Sequence, residues 1–306
     1  MYLGLLISKP VDNILELIGN TPLLSLTPHA EPGSAQLLGK LEARNPSGSV
    51  KDRAVLAMIE DAETRGVLRP GYTIVEATSG NFGIALAMVG VAKGYPVLII
   101  LPEGTPPPLR RLLAQLDATV HVTPADRGMA GAHKTAELLE QEKEDYVSLN
   151  LFDNPANTKA HREGTAQEIL SDTDGGVDAF VAAVGTGGTI SGVAEALRAA
   201  NPSVLVVAVE PASSPLLSQG RAAEHGIAGI GADFVPAILR RDLIDEVVAV
   251  TDEQARDTTA RLARETGLLV GVSSGANVFA SLQIAQRLGP DRVVVTILPD
   301  AGHWYV

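Results

Sequence analysis

TIVEATSGNFGIALAMVGVA, residues 73–92, contains the pattern that determines the fold class. It begins with a short apolar run that predicts a buried strand, Thr73 to Ala77. A turn of Thr78, Ser79 and Gly80 follows, and a longer run of apolar and small residues then predicts a helix from Asn81 to Ala92. A buried strand that leads directly into a helix is the repeating unit of parallel α/β sheets.

The same alternation of apolar runs and amphipathic stretches continues in both directions, which predicts an α/β protein with two doubly wound open sheets. The predicted strands are Ala35–Leu41, Thr73–Ala77, Pro96–Leu101, Thr119–Thr123, Ala179–Val184, Val204–Val209, Glu246–Val250 and Arg292–Leu298. The predicted helices are Lys51–Thr64, Asn81–Ala92, Pro107–Gln115, Gly131–Gln141, Pro155–Ser171, Thr189–Ala199, Asp252–Glu265 and Ser274–Leu288. The polar stretch 150–157 is the expected crossing between the two sheets, with a ligand-binding cleft beside it.

Composition restricts the classes of function. The chain has 306 residues, 45% of them hydrophobic and 20% charged, as in a soluble globular protein. Its net charge of −12 argues against nucleic acid or an anionic membrane surface as a partner. Cysteine is absent, which excludes disulfides and a catalytic thiol. Met1 to Ser8 show no targeting pattern and no run is long enough to span a bilayer, so we expect a cytoplasmic protein.

A second turn that enters a helix lies at NPSGSVKDR, residues 45–53. Its Lys51 opens the predicted helix at the mouth of the cleft. A lysine amine becomes a useful nucleophile toward an aldehyde when it is desolvated or lies near positive charge, because both lower its pKa. An arbitrary lysine at the first turn of a helix is more often an exposed surface residue, and this turn alone decides little.

The turn at residues 78–83 concentrates two hydroxyls, an amide and unpaired N–H groups at a helix N-terminus. Such a turn can hold a carboxylate, although Thr, Ser and Asn are also ordinary helix caps. A third turn, Val184 to Thr189, reads Val-Gly-Thr-Gly-Gly-Thr. Glycines let the backbone approach an anion closely, so a phosphate fits there. The glycine spacing is not that of the dinucleotide-binding fingerprint, which makes a nicotinamide dehydrogenase the weakest interpretation.

The three turns together supply an amine, a cradle for a carboxylate and a cup for a phosphate, each at the carboxyl end of a predicted strand. A phosphorylated aldehyde cofactor and an amino-acid substrate would satisfy all three. No histidine has the spacing of a metal ligand, so we expect no metal site.

An ordered set of motifs along almost the whole chain resembles the cysteine synthase group, the O-acetylserine sulfhydrylases, within the fold type II pyridoxal phosphate enzymes. The motifs are Ile18-Gly19-Asn20-Thr21-Pro22-Leu23, Lys40-Leu41-Glu42, the Lys51 turn, Thr78 to Gly83, Asn154-Pro155-Ala156-Asn157, Gly185 to Thr189, Gly229-Ile230-Gly231, Gly271-Val272-Ser273-Ser274-Gly275 and Leu298-Pro299-Asp300. The resemblance implies the tryptophan synthase β-like architecture. Residues 46–150 would form a small, mobile, substrate-binding domain, and residues 1–45 plus 151–306 a large cofactor-binding domain.

The resemblance also implies roles for single residues. Lys51 would hold pyridoxal 5′-phosphate as a Schiff base and move the substrate α-proton, and Asn81 would bond the phenolic oxygen of the cofactor. The remaining implied cofactor-binding residues are Gly185, Thr186, Gly187, Gly188 and Thr189 at the phosphate and Ser274 near the ring. The implied substrate-binding residues are Thr78, Ser79, Asn81 and Phe82.

The implied reaction is β-replacement on an O-activated L-serine, O-acetyl- or O-phosphoserine, with sulfide or another nucleophile, through an aminoacrylate intermediate. The implied partners are a second copy of the chain in a homodimer and the C-terminal peptide of serine acetyltransferase. The sequence names neither the nucleophile nor the leaving group.

Three positions depart from the family pattern. Phe82 replaces a threonine and Leu151 replaces a glutamine, both of which help to bind the substrate carboxylate in relatives. Ala301 replaces a serine that bonds the pyridine nitrogen in many relatives. Losing a buried hydrogen bond weakens binding by about 1–3 kcal/mol, so these changes point to an altered substrate unless Phe82 is simply a packing substitution.

Several interpretations therefore remain open. The chain is a cysteine synthase-like enzyme, a specialised homologue that makes another β-substituted alanine, or a serine or threonine dehydratase or serine racemase. Dehydratases and racemases usually carry Ser-Gly-Asn-His where this chain has Ser-Gly-Asn-Phe, residues 79–82. A catalytically weakened scaffold that binds a partner is the interpretation outside the enzymes.

Overall fold

The computed structural model of the chain describes residues 10–302. The predicted absence of a targeting segment at residues 1–8 falls outside this range. The described residues form an α/β protein with two sheets, as predicted. No helix within them is both long and apolar enough to cross a bilayer.

The larger sheet has six strands in the order β1-β2-β10-β7-β8-β9. They are β1 (Leu23–Ser25), β2 (Gln36–Leu41), β7 (Ala179–Ala183), β8 (Leu205–Pro211), β9 (Glu246–Val250) and β10 (Val293–Leu298). Among the strands within residues 10–302, only β1 is antiparallel to its neighbour, with Leu23 opposite Lys40. The last strand in sequence, β10, therefore lies between β2 and β7 and places its carboxyl end at the middle of the sheet.

The smaller sheet has four parallel strands in the order β5-β4-β3-β6. They are β3 (Thr73–Ala77), β4 (Val97–Pro102), β5 (Thr119–Thr123) and β6 (Tyr146–Val147).

Helices cover both sheets. They are α1 (Lys51–Thr64), α2 (Asn81–Lys93), α3 (Pro107–Gln115), α4 (Gly128–Glu142), α5 (Pro155–Ala160), α6 (Ala166–Asp172), α7 (Gly188–Ala200), α8 (Leu216–Gln219), α9 (Asp252–Thr266) and α10 (Val272–Leu288). One buried cluster joins α1 and α2 to the strands of the smaller sheet. Two further clusters fill the faces of the larger sheet, one under α9 and α10 and the other under α6 and α7. Each sheet thus has cores of its own.

The predicted helix Pro155–Ser171 was wrong as a single regular helix. It divides into α5, a π-helical turn at His161–Thr165, and α6. A π-helical turn inserts one residue into a helix without a change in composition, so the periodicity of the sequence does not reveal it. The prediction also missed β1, β6 and α8, which have three, two and four residues and are too short for a recognisable pattern.

Candidate active site

The Lys51 turn lies against the carboxyl end of β10. The backbone N–H of Val50 donates to Pro299 O at 2.8 Å, and the N–H of Ala301 donates to Gly48 O at 3.1 Å. Ser49 also forms a β-bridge with Asp300. Lys51 is the first residue of α1. These contacts place its turn at the carboxyl end of the central strand β10, where ligands of open α/β sheets bind.

The surroundings of Lys51 shift its amine toward the neutral form. Burial lowers the pKa of Lys51 below its ordinary value, and the negative charge of Asp300 acts in the opposite direction. A neutral amine is the form that attacks an aldehyde and accepts a proton. Lys51 therefore has the electrostatic character expected of a Schiff-base lysine.

A buried ion network fixes α1 to the larger sheet. Arg53 donates to Glu42 Oε2 through Nε at 2.7 Å and to Glu168 Oε1 through Nη1 at 2.6 Å. Lys40 is fully buried and lies 3.0 Å from Glu168 Oε2. Because Arg53 is two residues after Lys51, these ion pairs also hold the first turn of α1 in place.

The Thr78–Asn81 turn reaches the same point from the smaller sheet. Asn81 Nδ2 donates to Asp300 Oδ2 at 2.6 Å, across 219 positions of sequence. Thr78 Oγ1 accepts from Gly80 N at 3.4 Å, Ser79 is exposed, and the helix α2 begins at Asn81. The turn therefore brings hydroxyls and helix N–H groups to Asp300, which also contacts the Lys51 turn, and such groups are able to bind a carboxylate.

The two positions predicted to depart from the family pattern on the substrate side lie in the core. Phe82 is 4% exposed and Leu151 is 9% exposed, and both belong to the buried cluster of the smaller sheet. The side chain of Phe82 is thus surrounded by apolar residues, whereas its backbone belongs to the first turn of α2. Contact between Phe82 and a substrate stays a prediction.

Sequence reasoning missed Glu76, a buried residue that binds residues 148–150, where the predicted crossing segment begins. Its Oε1 accepts from Leu149 N at 2.6 Å, Asn150 N at 3.1 Å and Ser148 Oγ at 3.1 Å. Burial raises the pKa of Glu76 to about 7, although these hydrogen bonds oppose the rise. Glu76 thereby holds residues 148–150 next to the Thr78–Asn81 turn. The only sign in the sequence that Glu76 is buried was its position within an apolar strand.

The glycine-rich turn enters α7 with little space to spare. Gly187 has a φ of +82°, which favours glycine. A Cβ on Gly185 would lie 2.5 Å from Gly229 O, and a Cβ on Gly188 would lie 2.1 Å from Asn157 Oδ1. Thr186 Oγ1 accepts from Asn157 Nδ2 at 3.3 Å. The close packing thus requires glycine in this turn, which forms the backbone cradle at the N-terminus of α7, a position where a phosphate can bind.

His161 connects the Thr189 hydroxyl to the π-helical turn. Its Nε2 is hydrogen-bonded to Thr189 Oγ1 at 3.2 Å and its Nδ1 to Thr165 Oγ1 at 2.9 Å. Burial lowers the pKa of His161 to about 3, and the positive charges of Arg53 and Lys51 lower it further. His161 therefore lies at the glycine-rich turn and within range of the charge of Lys51. Sequence reasoning considered the histidines only as metal ligands and did not predict the hydrogen bond to Thr189, which lies 28 positions away.

The residues present fit a phosphorylated aldehyde cofactor. Ser274 is fully buried, and its Oγ has no hydrogen-bond partner within the described part of the chain. Ser274 N donates to Gly271 O, and Gly271 N donates to Asp300 O at 3.1 Å, which places Ser274 beside the Lys51 junction. A buried hydroxyl without a partner, the glycine cradle and a desolvated lysine are complementary to a polar ring, a phosphate and an aldehyde respectively. Among residues 10–302, no group of three or more potential metal ligands lies together.

Comparison with known proteins agrees with this geometry. The model of a family described as pyridoxal-phosphate dependent enzymes matches residues 14–300. Cysteine synthases of several Staphylococcus aureus strains are 44% identical over 299 residues, which cover 97% of this chain and 96% of theirs.

Solved structures are also similar to the chain. A crystal structure of O-ureido-L-serine synthase superposes with a TM-score of 0.93 at 41% identity, covering 97% of this chain and 94% of the other. A cysteine synthase from Entamoeba histolytica gives a TM-score of 0.94 at 36% identity, with coverages of 100% and 92%.

Proposed function

Because the chain belongs to the family of pyridoxal-phosphate dependent enzymes, we propose that it catalyses β-replacement on an O-activated L-serine with sulfide or another nucleophile. The observation that carries this proposal is the convergence at Asp300 of the Lys51 turn and the Thr78–Asn81 turn. One turn offers a desolvated amine and the other a cradle for a carboxylate. An amino acid spans these two groups, because its α-carbon lies between its amine and its carboxylate.

Bound pyridoxal phosphate would supply an electron sink for the bond that breaks at the substrate α-carbon. Lys51 would hold the aldehyde carbon, and the backbone and hydroxyls of Gly185–Thr189 would hold the phosphate. Asn81 would hydrogen-bond the phenolic oxygen, and Ser274 would offer its buried hydroxyl to the ring. The α7 N-terminus adds its helix dipole to phosphate binding.

The chain itself also performs the proton transfers. Burial lowers the pKa of Lys51 and so favours the neutral amine, which would accept the substrate α-proton at Nζ. Thr78, Ser79 and the N–H groups at the start of α2 would fix the substrate carboxylate and thereby orient the α-proton toward Lys51.

The domain boundaries are part of the proposal. Residues 46–150 would act as the mobile substrate-binding domain, closing against residues 1–45 and 151–306. The separate cores of the two sheets support such a division. Glu76 would couple the crossing segment to the carboxylate turn, because it binds the former and directly precedes the latter. We expect carboxylate binding to drive closure.

A non-cysteine product is the second candidate. The similarity to O-ureido-L-serine synthase favours it, as do Phe82 and Leu151, which offer no side-chain donors where relatives have them. Dehydratase-like β-elimination is a third outcome and would release pyruvate from serine without an added nucleophile.

The test is a product assay with the purified holoprotein. O-acetyl-L-serine and O-phospho-L-serine are each supplied with sulfide, with N-hydroxyurea, or with no nucleophile, and products are identified by mass spectrometry. The proposal predicts a β-substituted alanine from one activated serine and none from the Lys51→Ala protein. If pyruvate is the only product, the protein catalyses β-elimination. If the cofactor binds but no substrate is turned over, the protein is a scaffold that binds a partner.

The assembly and the location are proposals as well. We propose a homodimer in the cytoplasm that also binds the C-terminal peptide of serine acetyltransferase in the cleft. Sedimentation at micromolar concentration should give twice the chain mass of 31.9 kDa. A peptide that fails to compete with the amino-acid substrate would remove that partner from the proposal.

A further inference from the structure

Asp300 lies where the elements of the candidate site meet. It is 2% exposed and follows β10 at the carboxyl end of the larger sheet. Its backbone bridges Ser49 of the Lys51 turn and accepts from Gly271 N, at the start of the Ser274 helix. Its side chain accepts from Asn81, the first residue of α2, which packs on the smaller sheet. The next residue, Ala301, has no polar side chain, so Asp300 supplies the polar side chain at this end of β10.

The hydrogen bond to Asp300 fixes the orientation of the Asn81 carboxamide. An ionised carboxylate only accepts hydrogen bonds, so at 2.6 Å the Nδ2 of Asn81, and not its Oδ1, must face Asp300. One N–H of the amide is then occupied, and the second N–H remains available for another acceptor. Hydrogen bonds to an ionised acceptor are also stronger than neutral ones, which reduces the freedom of Asn81 to rotate.

The charge of Asp300 acts on Lys51 as well. Burial dominates the environment of the lysine, and Asp300 is the group that favours its cationic form. The other titratable groups close to Lys51 are held by their own contacts or are neutral. Arg53 pairs with Glu42 and Glu168, Asp52 accepts hydrogen bonds from Ser47, and buried His161 is neutral at ordinary pH. The negative charge that acts on the lysine is therefore that of Asp300.

We propose that Asp300 is a positioning residue for the cofactor, which orients Asn81 toward the phenolic oxygen and stabilises positive charge on Lys51. This inference rests on the proposed function, because it assumes that Lys51 and Asn81 hold pyridoxal phosphate. It assigns to Asp300 no contact with the substrate.

The first test measures the charge effect on the apoprotein. Lys51 is labelled with an amine-reactive reagent over a range of pH, and the Lys51 peptide is quantified by mass spectrometry. In Asp300→Asn the labelling profile should move to lower pH, because the cationic amine loses its stabilising charge, and Lys51 should react several-fold faster at a fixed pH on the rising part of the profile. Asp300→Glu, which keeps the charge, should label like the wild type.

The second test measures the coupling to Asn81. Equilibrium dialysis with pyridoxal phosphate gives the affinity of the wild type, Asp300→Asn, Asn81→Ala and the double variant. Asp300→Asn should weaken binding several-fold in the wild-type background and much less in the Asn81→Ala background. Equal effects in both backgrounds would contradict the orienting role.

Asp178→Asn is the matched control. Asp178 lies at the opposite end of β10, where it accepts from Val293 N at 2.8 Å and from Arg292 Nη1 at 2.7 Å. It should leave both measurements unchanged. An unchanged labelling profile in Asp300→Asn would overturn the inference while leaving the proposed function intact, whereas a wild type that binds no cofactor would remove the proposed function itself. Asp300→Ser is a second uncharged variant, in case Asp300→Asn does not fold. If neither Asp300→Asn nor Asp300→Ser folds, Asp300 has a structural role and the inference is wrong.

Discussion

Phe82 is the residue at which an altered substrate and a simple packing substitution can be told apart. Its side chain is 4% exposed within the core of the smaller sheet. Phe82→Thr restores the family's hydroxyl but removes a large apolar group from this core. We therefore expect the free energy of unfolding to fall by about 2–4 kcal/mol, measured by urea denaturation of the apoprotein.

Phe82→Leu is the control for this effect. It keeps most of the buried volume, so its loss of stability should stay below about 1.5 kcal/mol. A fully stable Phe82→Thr protein with tighter amino-acid binding would mean that residue 82 faces the substrate and that the phenylalanine determines specificity.

Gly188 tests the close packing of the phosphate cradle. Because a Cβ there would lie 2.1 Å from Asn157 Oδ1, Gly188→Ala must displace Asn157 and its hydrogen bond to Thr186. We expect a loss of stability of about 1–3 kcal/mol, measured by urea denaturation, and weaker cofactor binding, measured by equilibrium dialysis.

Gly164 provides the matched helical glycine. A Cβ there would meet Arg53 Nη1 at 3.5 Å, an ordinary contact. Gly164→Ala should therefore be neutral or stabilise the protein by up to about 1 kcal/mol. Equal losses for the two alanine variants would show that helix geometry, and not the contact with Asn157, decides.

At the scale of residues, the sequence predicted the turns that carry Lys51, Asn81 and the glycines, because turn chemistry is local. It did not predict the roles of Asp300 or His161. Those roles depend on contacts between residues far apart in sequence, such as Asn81 with Asp300 across 219 positions. That positions 82 and 151 depart from the family pattern stays a prediction, and their burial was visible only in the structure.

Among the elements, α1 and α6 are joined through Glu168. Its carboxylate accepts from Arg53 and Lys40, two cations with almost no exposure, and its own side chain is 16% exposed. Glu168→Ala leaves both cations short of a partner. We expect the free energy of unfolding to fall by about 3 kcal/mol in urea denaturation, near the low end for breaking a buried ion pair.

Glu163→Ala is the control on the same helical run. Glu163 is 56% exposed and its ion pairs with Arg162 and Lys159 lie on the surface. The change should alter stability by no more than about 1 kcal/mol. A similar loss in both variants would show that the buried network contributes little to holding α1.

The pH dependence of stability follows from the same carboxylate. Burial would raise the pKa of Glu168, but hydrogen bonds from Arg53 outweigh it and lower the pKa to about 2. In the unfolded chain the pKa of Glu168 has its ordinary value near 4.5, so between about pH 2 and pH 4.5 the unfolded chain binds more protons than the folded one. The contribution of Glu168 is therefore present above about pH 4.5 and is lost as the pH falls toward 2. In that window, Glu168→Gln should lose less stability than the wild type when unfolding is measured at several pH values, and parallel curves would contradict the lowered pKa.

The longer elements were predictable because each contains enough residues for its periodicity to show. The short strands β1 and β6 were not, since their residues pair for reasons of position in the sheet. The π-helical turn between α5 and α6 was missed for a different reason. The turn lies where Gly192 of α7 approaches closely, since a Cβ on Gly192 would be 2.2 Å from Thr158 O. This is a tertiary constraint, which the local sequence does not show.

At the scale of the whole molecule, the sequence predicted two open α/β sheets but not their strand order. The strand β10, last in sequence, is inserted between β2 and β7, which depends on how the crossovers pack and not on local pattern. This insertion brings Asp300 to the Lys51 turn and so assembles the site from three distant parts of the chain. The domain boundaries at residues 46 and 150 stay a prediction.

The proposed chemistry of the whole molecule depends on Lys51 being the lysine that holds the cofactor. The assignment can be measured by reducing the cofactor-loaded protein with borohydride, digesting it, and locating the added mass by mass spectrometry. We predict the mass of the reduced cofactor on the peptide that contains Lys51, and its loss in Lys51→Ala. Finding that mass on another lysine, or undiminished in Lys51→Ala, would contradict the assignment.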